Sequence, residues 1–169
     1  MAKPPFDSIP TFFHRYVNLV QEDEVSTALR NNTGMLFSFL EKIPEEKWGY
    51  RYAEGKWSIR EMVQHLIDAE RIFSYRALCI SRGEKQSLPG FEENDYAAAS
   101  EADRRSKEEL LSEYRSVRDS TEKLFASFSE EQLHKTGVSN NNSISVDAIG
   151  FLTAGHVKHH LNIVEERYL

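Results

Sequence analysis

The chain has 169 residues, 40% hydrophobic and 28% charged, with a formal net charge of −6. This length fits one domain that buries about two-thirds of its unfolded surface, and its apolar content can offset the entropy of ordering, which excludes a disordered chain. The negative charge and a pI of ≈ 5.6 repel a phosphate backbone, and no Lys/Arg cluster longer than Arg104-Arg105 offers an exception, so nucleic acid is disfavoured as a partner.

The N-terminal MAKPPFDSIP lacks the apolar region of a signal peptide, and no uncharged apolar stretch approaches the roughly 20 residues of a membrane span. A cytoplasmic location without membrane partners is expected. The single cysteine, Cys79, has no partner for an internal disulfide, which agrees with a reducing compartment.

Leu29, Leu36, Leu40 and Ile43 recur at helical steps after Val25, and Pro44 ends that helix. The segment EEKWGYRYAEGK has no period and reads as a structured connection. Ser58-Ile59-Arg60-Glu61 is a capping box, with Trp57 and Met62 placed as a hydrophobic staple. Ile59, Met62, Val63, Leu66 and Phe73 carry the second helix onward, and Arg82-Gly83 supplies its stop. Residues 83–100, with Pro89-Gly90, form a long connection of the kind that often flanks a site.

Leu110, Tyr114, Val117, Thr121, Leu124 and Phe128 mark a third helix, and Ser129-Glu130-Glu131-Gln132-Leu133 suits a further short turn of helix. Ser139-Asn140-Asn141-Asn142-Ser143 reads as a turn. Ser145 is then the expected cap of a final helix, with Asp147 near its positive end. No β-alternation competes with this pattern. The fold class expected is all-α, with helices at about 24–43, 58–82, 103–128 and 145–167 in a single domain, 1–169.

Six histidines occur, and His156, His159 and His160 fall close together on the last helix. At about 100° per residue, His160 lies about 40° to one side of His156 and His159 about 60° to the other, so either can share its face. His156 and His160 meet the i,i+4 rule, which sets two imidazoles on consecutive turns with Cβ atoms roughly 6 Å apart. Their row includes Ile149, Leu152 and Ile163, which points the rings partly inward. Alone, an HxxxH pair is as readily a decorated surface face.

A third ligand must come from another helix, and His65 sits beside the apolar row between Met62 and Ala69. His14 and His134, near an end and in a loop, read as surface residues. Cys79 returns to the face of His65 but lies about 21 Å along the helix, too far to share an ion, and reads as a small hydrophobe. Asp68, one turn after His65, is a weak catalytic candidate that would orient an imidazole or act on a bound water. Glu70 reads as a helix-surface partner of Arg71 or of an incoming base. For Tyr75 and Arg76 a structural role weighs at least as much as a substrate role. Trp48, Tyr50 and Tyr52 suit either a pocket wall or packing.

Gly55-Lys56-Trp57-Ser58-Ile59 leading into His65-Leu66-Ile67-Asp68-Ala69-Glu70-Arg71, with Gly155-His156 through His159-His160 and then Arg167-Tyr168, resembles the DinB-like (DinB/YfiT-like) superfamily. The likeness spans most of the chain. It implies a four-helix bundle with an up-down-down-up path and one divalent transition-metal ion, zinc or nickel, on His65, His156 and His160. It also implies water in the remaining positions and often a homodimer.

Three neutral nitrogen ligands leave the ion doubly charged and acidify a bound water, and the open position is that of a catalytic site, since a closed structural zinc would want four protein ligands. A metal-dependent hydrolase acting on a small molecule is the first expectation. The second is an enzyme that activates a low-molecular-weight thiol for transfer or isomerisation, because relatives in the superfamily include bacillithiol- and mycothiol-dependent enzymes. A non-catalytic metal-binding or interaction module is the third.

Overall fold

The structure, a computed structural model, describes residues 3–169, so the first two positions of the expected domain lie outside the described residues. It is mostly helical. Short 3-10 turns at Phe6–Ser8 and Thr11–Phe13 lead into α1 (His14–Val17), followed by the long helix α2 (Val25–Lys42). After them come α3 (Ile59–Ser81), α4 (Glu93–Ala99), α5 (Lys107–Ala126), α6 (Glu130–Leu133) and α7 (Val146–Arg167).

Local chemistry explains most boundaries. At α3 the Ser58 side chain accepts from Glu61 N at 3.1 Å while Ser58 N donates to the Glu61 carboxylate at 2.8 Å, the expected box. At its far end Gly83 takes φ +88, a left-handed conformation that a side chain would strain. The third long helix begins later than about 103, because Ala102–Arg104 is a separate 3-10 turn and a second box, Ser106 with Glu109, starts α5. The turn of helix after Phe128 is α6, held by a third box from Ser129 to Gln132.

Two expectations need correction. Thr136–Ser139 (β1) and Asn142–Ser145 (β2) pair as an antiparallel hairpin, with Asn140 and Asn141 in left-handed conformations at its turn. Four-residue strands are too short to show alternation, but paired asparagines tolerate the positive φ that a tight hairpin turn needs. Ser145 occupies the N-cap position of α7 without capping it: its hydroxyl bonds the Asp147 carboxylate, which itself accepts from Ala148 N at 2.7 Å.

In the bundle, α2 packs on α7 and α5, and α3 packs on the same two, so α2 and α3 stand at opposite corners. Asn32 Nδ2 reaches Ala154 O at 3.0 Å, and Lys47 Nζ reaches Tyr168 O at 3.3 Å. Between α3 and α5, Arg71 meets Glu113 at 2.5 Å and Ser74 meets Thr121 at 3.0 Å. Between α2 and α5, Thr33 bonds Glu122 at 2.5 Å and Lys107 Nζ bonds Ile43 O at 2.7 Å.

The core falls into two apolar clusters. One gathers Leu29, Ala69, Phe73, Phe125, Phe151 and Leu152, and the other Leu36, Leu40, Leu66, Leu110, Tyr114 and Leu161. On each helix a polar residue lies between the two sets: Asn32 on α2, Glu70 on α3, Arg118 on α5 and His156 on α7, all buried. Burying such groups is costly unless they find partners. Arg118 does, donating to Glu70 at 2.7 Å and to Asn32 at 3.1 Å. Glu70 is therefore not a surface partner of Arg71 but half of a buried ion pair.

Candidate metal centre

The histidines stand where that polar level meets a cavity. His65 on α3 and His156 on α7 are buried, and His160, one turn after His156, is partly so. The Nε2 atoms of His65 and His160 each lie 3.1 Å from Nε2 of His156. One ligand-capable atom from each ring falls within 4.8 Å of the others, an arrangement matched by no other His, Cys, Asp or Glu group among the described residues.

A neutral imidazole offers one N–H and one lone pair. His156 Nε2 faces two partners with only one of these, so the three rings cannot satisfy each other. Three converging lone pairs are instead the donor set of a borderline divalent ion, and the residues fit one. Burial pushes the His65 imidazole down to about 4. It also holds His156 and His160 well below the ordinary histidine range, with the neighbouring rings and Arg15 adding to the effect. All three rings are thus neutral at pH 7, the form that ligates a metal.

The other candidates lie elsewhere. His159 turns its ring edge to Tyr16, 5.1 Å between centroids, and stays outside the trio. Asp68 accepts from Gln64 at 2.9 Å, lies 4.0 Å from Arg71 and has no hydrogen bond to any of the three rings. Burial raises its carboxyl, opposed by the Gln64 hydrogen bond and Arg71. His14 Nε2 contacts the carbonyls of Phe6 and Ile9 at 2.9 and 2.8 Å, which ties down the N-terminal turns. His134 faces Asp147 at 3.3 Å, and Cys79 packs against the first apolar cluster.

A cavity of ≈ 350 Å³ opens beside the trio, lined by all four C-terminal-region and α3 histidines named above and by aromatic side chains. Gly90, Phe91 and Glu93 contribute from the long connection, as expected of residues 83–100. Trp48 is instead fully buried in the core, while Tyr50 and Tyr52 pack edge-on against Tyr168.

Several wall residues escaped the sequence reading. Trp57, expected as a staple, lies 4.8 Å from the His65 ring and stacks at 6.3 Å on His160. Phe12, Phe13, Arg15 and Tyr16 close another side from a short 3-10 turn and α1, too brief for any periodicity to mark. Their one signal is the density of rings in Phe12-Phe13-His14-Arg15-Tyr16. This segment seats on α7 at Gly155, where any Cβ would collide with the Tyr16 carbonyl.

Known proteins bear on this geometry. YfiT from Bacillus subtilis, described as a probable metal-dependent hydrolase with an unusual four-helix bundle topology, superposes with a TM-score of 0.75 at 15% identity, over 98% of this chain and 91% of that one. The mycothiol-dependent maleylpyruvate isomerase superposes with a TM-score of 0.68 at 13% identity over 96% of this chain, which spans 62% of that enzyme. At these identities the likeness is one of fold. No curated protein sequence matches the chain. The profile of the DinB superfamily matches residues 28–164, a span that contains the trio and all four long helices save three residues at either end, and the chain belongs to that superfamily.

Proposed function

We propose that this protein is a metal-dependent enzyme of hydrolase type, in which His65, His156 and His160 hold one divalent ion, zinc or nickel, facing a small-molecule cavity. The observation that carries this reading is the meeting of three neutral Nε2 atoms at one edge of an aromatic-walled cavity. When bound, such an ion acts as a Lewis acid toward a substrate oxygen or sulfur and lowers the pKa of water at its open position. The chain's own part is to keep the rings deprotonated by burial, to fix His65 and His160 against Trp57, and to exclude bulk water with Phe13, Tyr16 and Phe73. Asp68, away from the rings, is not assigned the role of base.

A second reading has the ion activate a low-molecular-weight thiol for transfer or isomerisation, supported by the fold shared with the mycothiol-dependent isomerase. Elemental analysis of protein prepared without an affinity tag tests the common premise: one ion per chain is expected, and its absence from both parent and His65→Ala sinks both readings. A rate toward an electrophile that thiol leaves unchanged removes the second.

We also read residues 1–169 as one domain with an up-down-down-up path, acting in the cytoplasm as a homodimer. The Asn32–Ala154 and Lys47–Tyr168 contacts support α2 and α7 running the same way, and Arg71–Glu113 with Ser74–Thr121 support the same for α3 and α5. No helix of the described residues is long and apolar enough to cross a membrane.

A further inference from the structure

We propose that the cavity takes a small organic carboxylate with an apolar or aromatic body, and that Arg76 binds its carboxylate at the end away from the three histidines. This rests on the metal-centred reading only in placing the ligand's reacting end at the histidines.

Arg76 is a buried cation without a counter-charge. Its side chain lines the cavity and the residue is only 7% exposed. It donates one hydrogen bond, from Nη2 to Pro89 O at 2.6 Å, lies 6.0 Å over the Phe91 ring, and pairs with no carboxylate among the described residues. Glu93 lines the same cavity but is exposed and forms no ion pair with it. Arg118, at 1% exposure, shows what the chain does with a guanidinium whose task is structural: it receives Glu70 and Asn32. A lone buried guanidinium costs stability that an incoming anion recovers. Burial alone depresses the Arg76 pKa, with no neighbouring charge opposing it.

The wall that holds Arg76 is preformed. Leu88 N donates to Val138 O and Asn140 N to Leu88 O, both at 2.9 Å, so the Pro89–Gly90 segment is sewn to the hairpin. His65, Ala69, Phe73 and Arg76 follow one another along the cavity side of α3. His65 and Arg76 stand about 16 Å apart along the axis, and long helical side chains lean toward the N-terminus, which brings the guanidinium back toward His65. A ligand that reaches both must carry a body of several carbons between its anionic and reacting ends. Phe13, Phe73, Phe91 and Leu152 give that body apolar surroundings. A single guanidinium matches a monoanionic carboxylate with its planar fork, whereas a dianionic phosphate would keep one charge uncompensated among those rings.

The test uses metal-stripped protein dialysed free of chelator, because a carboxylate would also bind an ion held by the histidines. Calorimetric titration with phenylbutyrate, phenylbutanol and phenylbutyl phosphate is expected to show the carboxylate bound about tenfold or more tighter than the alcohol, as one charged hydrogen-bonded contact provides. In Arg76→Met that ratio should fall to about one, with the alcohol's affinity kept. Equal binding of acid and alcohol by the parent overturns the proposal without any variant, as does a preference that survives in Arg76→Met. Tighter binding of the phosphate ester overturns the carboxylate assignment. A separate zinc titration of the same sample keeps failure here distinct from failure of the metal site.

Discussion

Two buried polar clusters meet α3 about 140° apart around its axis, and they end differently. Glu70 looks toward α5, where Arg118 answers it at 2.7 Å and Asn32 extends the chain of contacts to α7. His65 looks toward α7 and a cavity, where it meets two more rings as neutral as itself. The first cluster pairs its charges within the chain, although Glu70 Oε1, Arg118 Nε and the adjoining Tyr114 hydroxyl keep no hydrogen-bond partner. By our proposals the second takes a cation, and Arg76 further along the same helix takes an anion. Charge pairing separates the two, since Arg118 and Glu70 are as deeply buried as His65 and His156.

Breaking the charge-paired cluster should do most damage. Glu70→Ala strands the Arg118 charge and is expected to cost about 3–5 kcal/mol, read by denaturant unfolding; a loss below about 1 kcal/mol would mean that water already reaches the pair. Acid tests the histidine cluster. The His65 imidazole titrates at about 4 when folded and about 6.5 when unfolded, so the unfolded state binds more protons in that window. Stability of the metal-free protein should therefore rise from pH 4 to 6.5 and fall again on acidification, by on the order of 3 kcal/mol for this ring. His65→Ala should flatten that part of the profile.

Adding what the second cluster lacks sharpens the contrast. Zinc at about 100 times its dissociation constant should stabilise the parent by about 2.7 kcal/mol, and His156→Ala not at all, as followed by thermal melting with and without chelator. The smallest effect is expected from His159→Ala, whose ring sits against Tyr16 outside the trio. The zinc-dependent shift should remain, with metal-free stability changed by about 1 kcal/mol or less. Loss of that shift would move the site to His156 and His159.

The sequence carried the long helices and the histidine pair because both obey a single period, with apolar rows at helical spacing and His156 and His160 at i,i+4 in the row of Ile149 and Leu152, while the family resemblance joined His65 to them. It carried the cap of α3 because Ser58 and Glu61 are neighbours in sequence. It did not carry the hairpin, whose two strands are four residues each, nor the cap of α7, where Asp147 outcompetes Ser145 for the backbone amide. Glu70 and Arg76 were undecidable for a shared reason. A helix face is fixed by spacing, but whether a charged side chain on it finds Arg118 or an open cavity depends on which helix packs there. The N-terminal wall was hidden more deeply, since aromatic residues in a single short turn of helix repeat too few times to reveal a face from which to infer a neighbour.

Gly155 links that hidden wall to the histidine trio. The residue before His156 has no side chain, and the Tyr16 backbone occupies the space where one would stand. A methyl group there would collide with the Tyr16 backbone and push α1 away from α7, opening the side of the cavity that Phe13 and Tyr16 line. Access to the cavity is thus governed from the helix that supplies two of its three clustered histidines, by the least conspicuous residue on it.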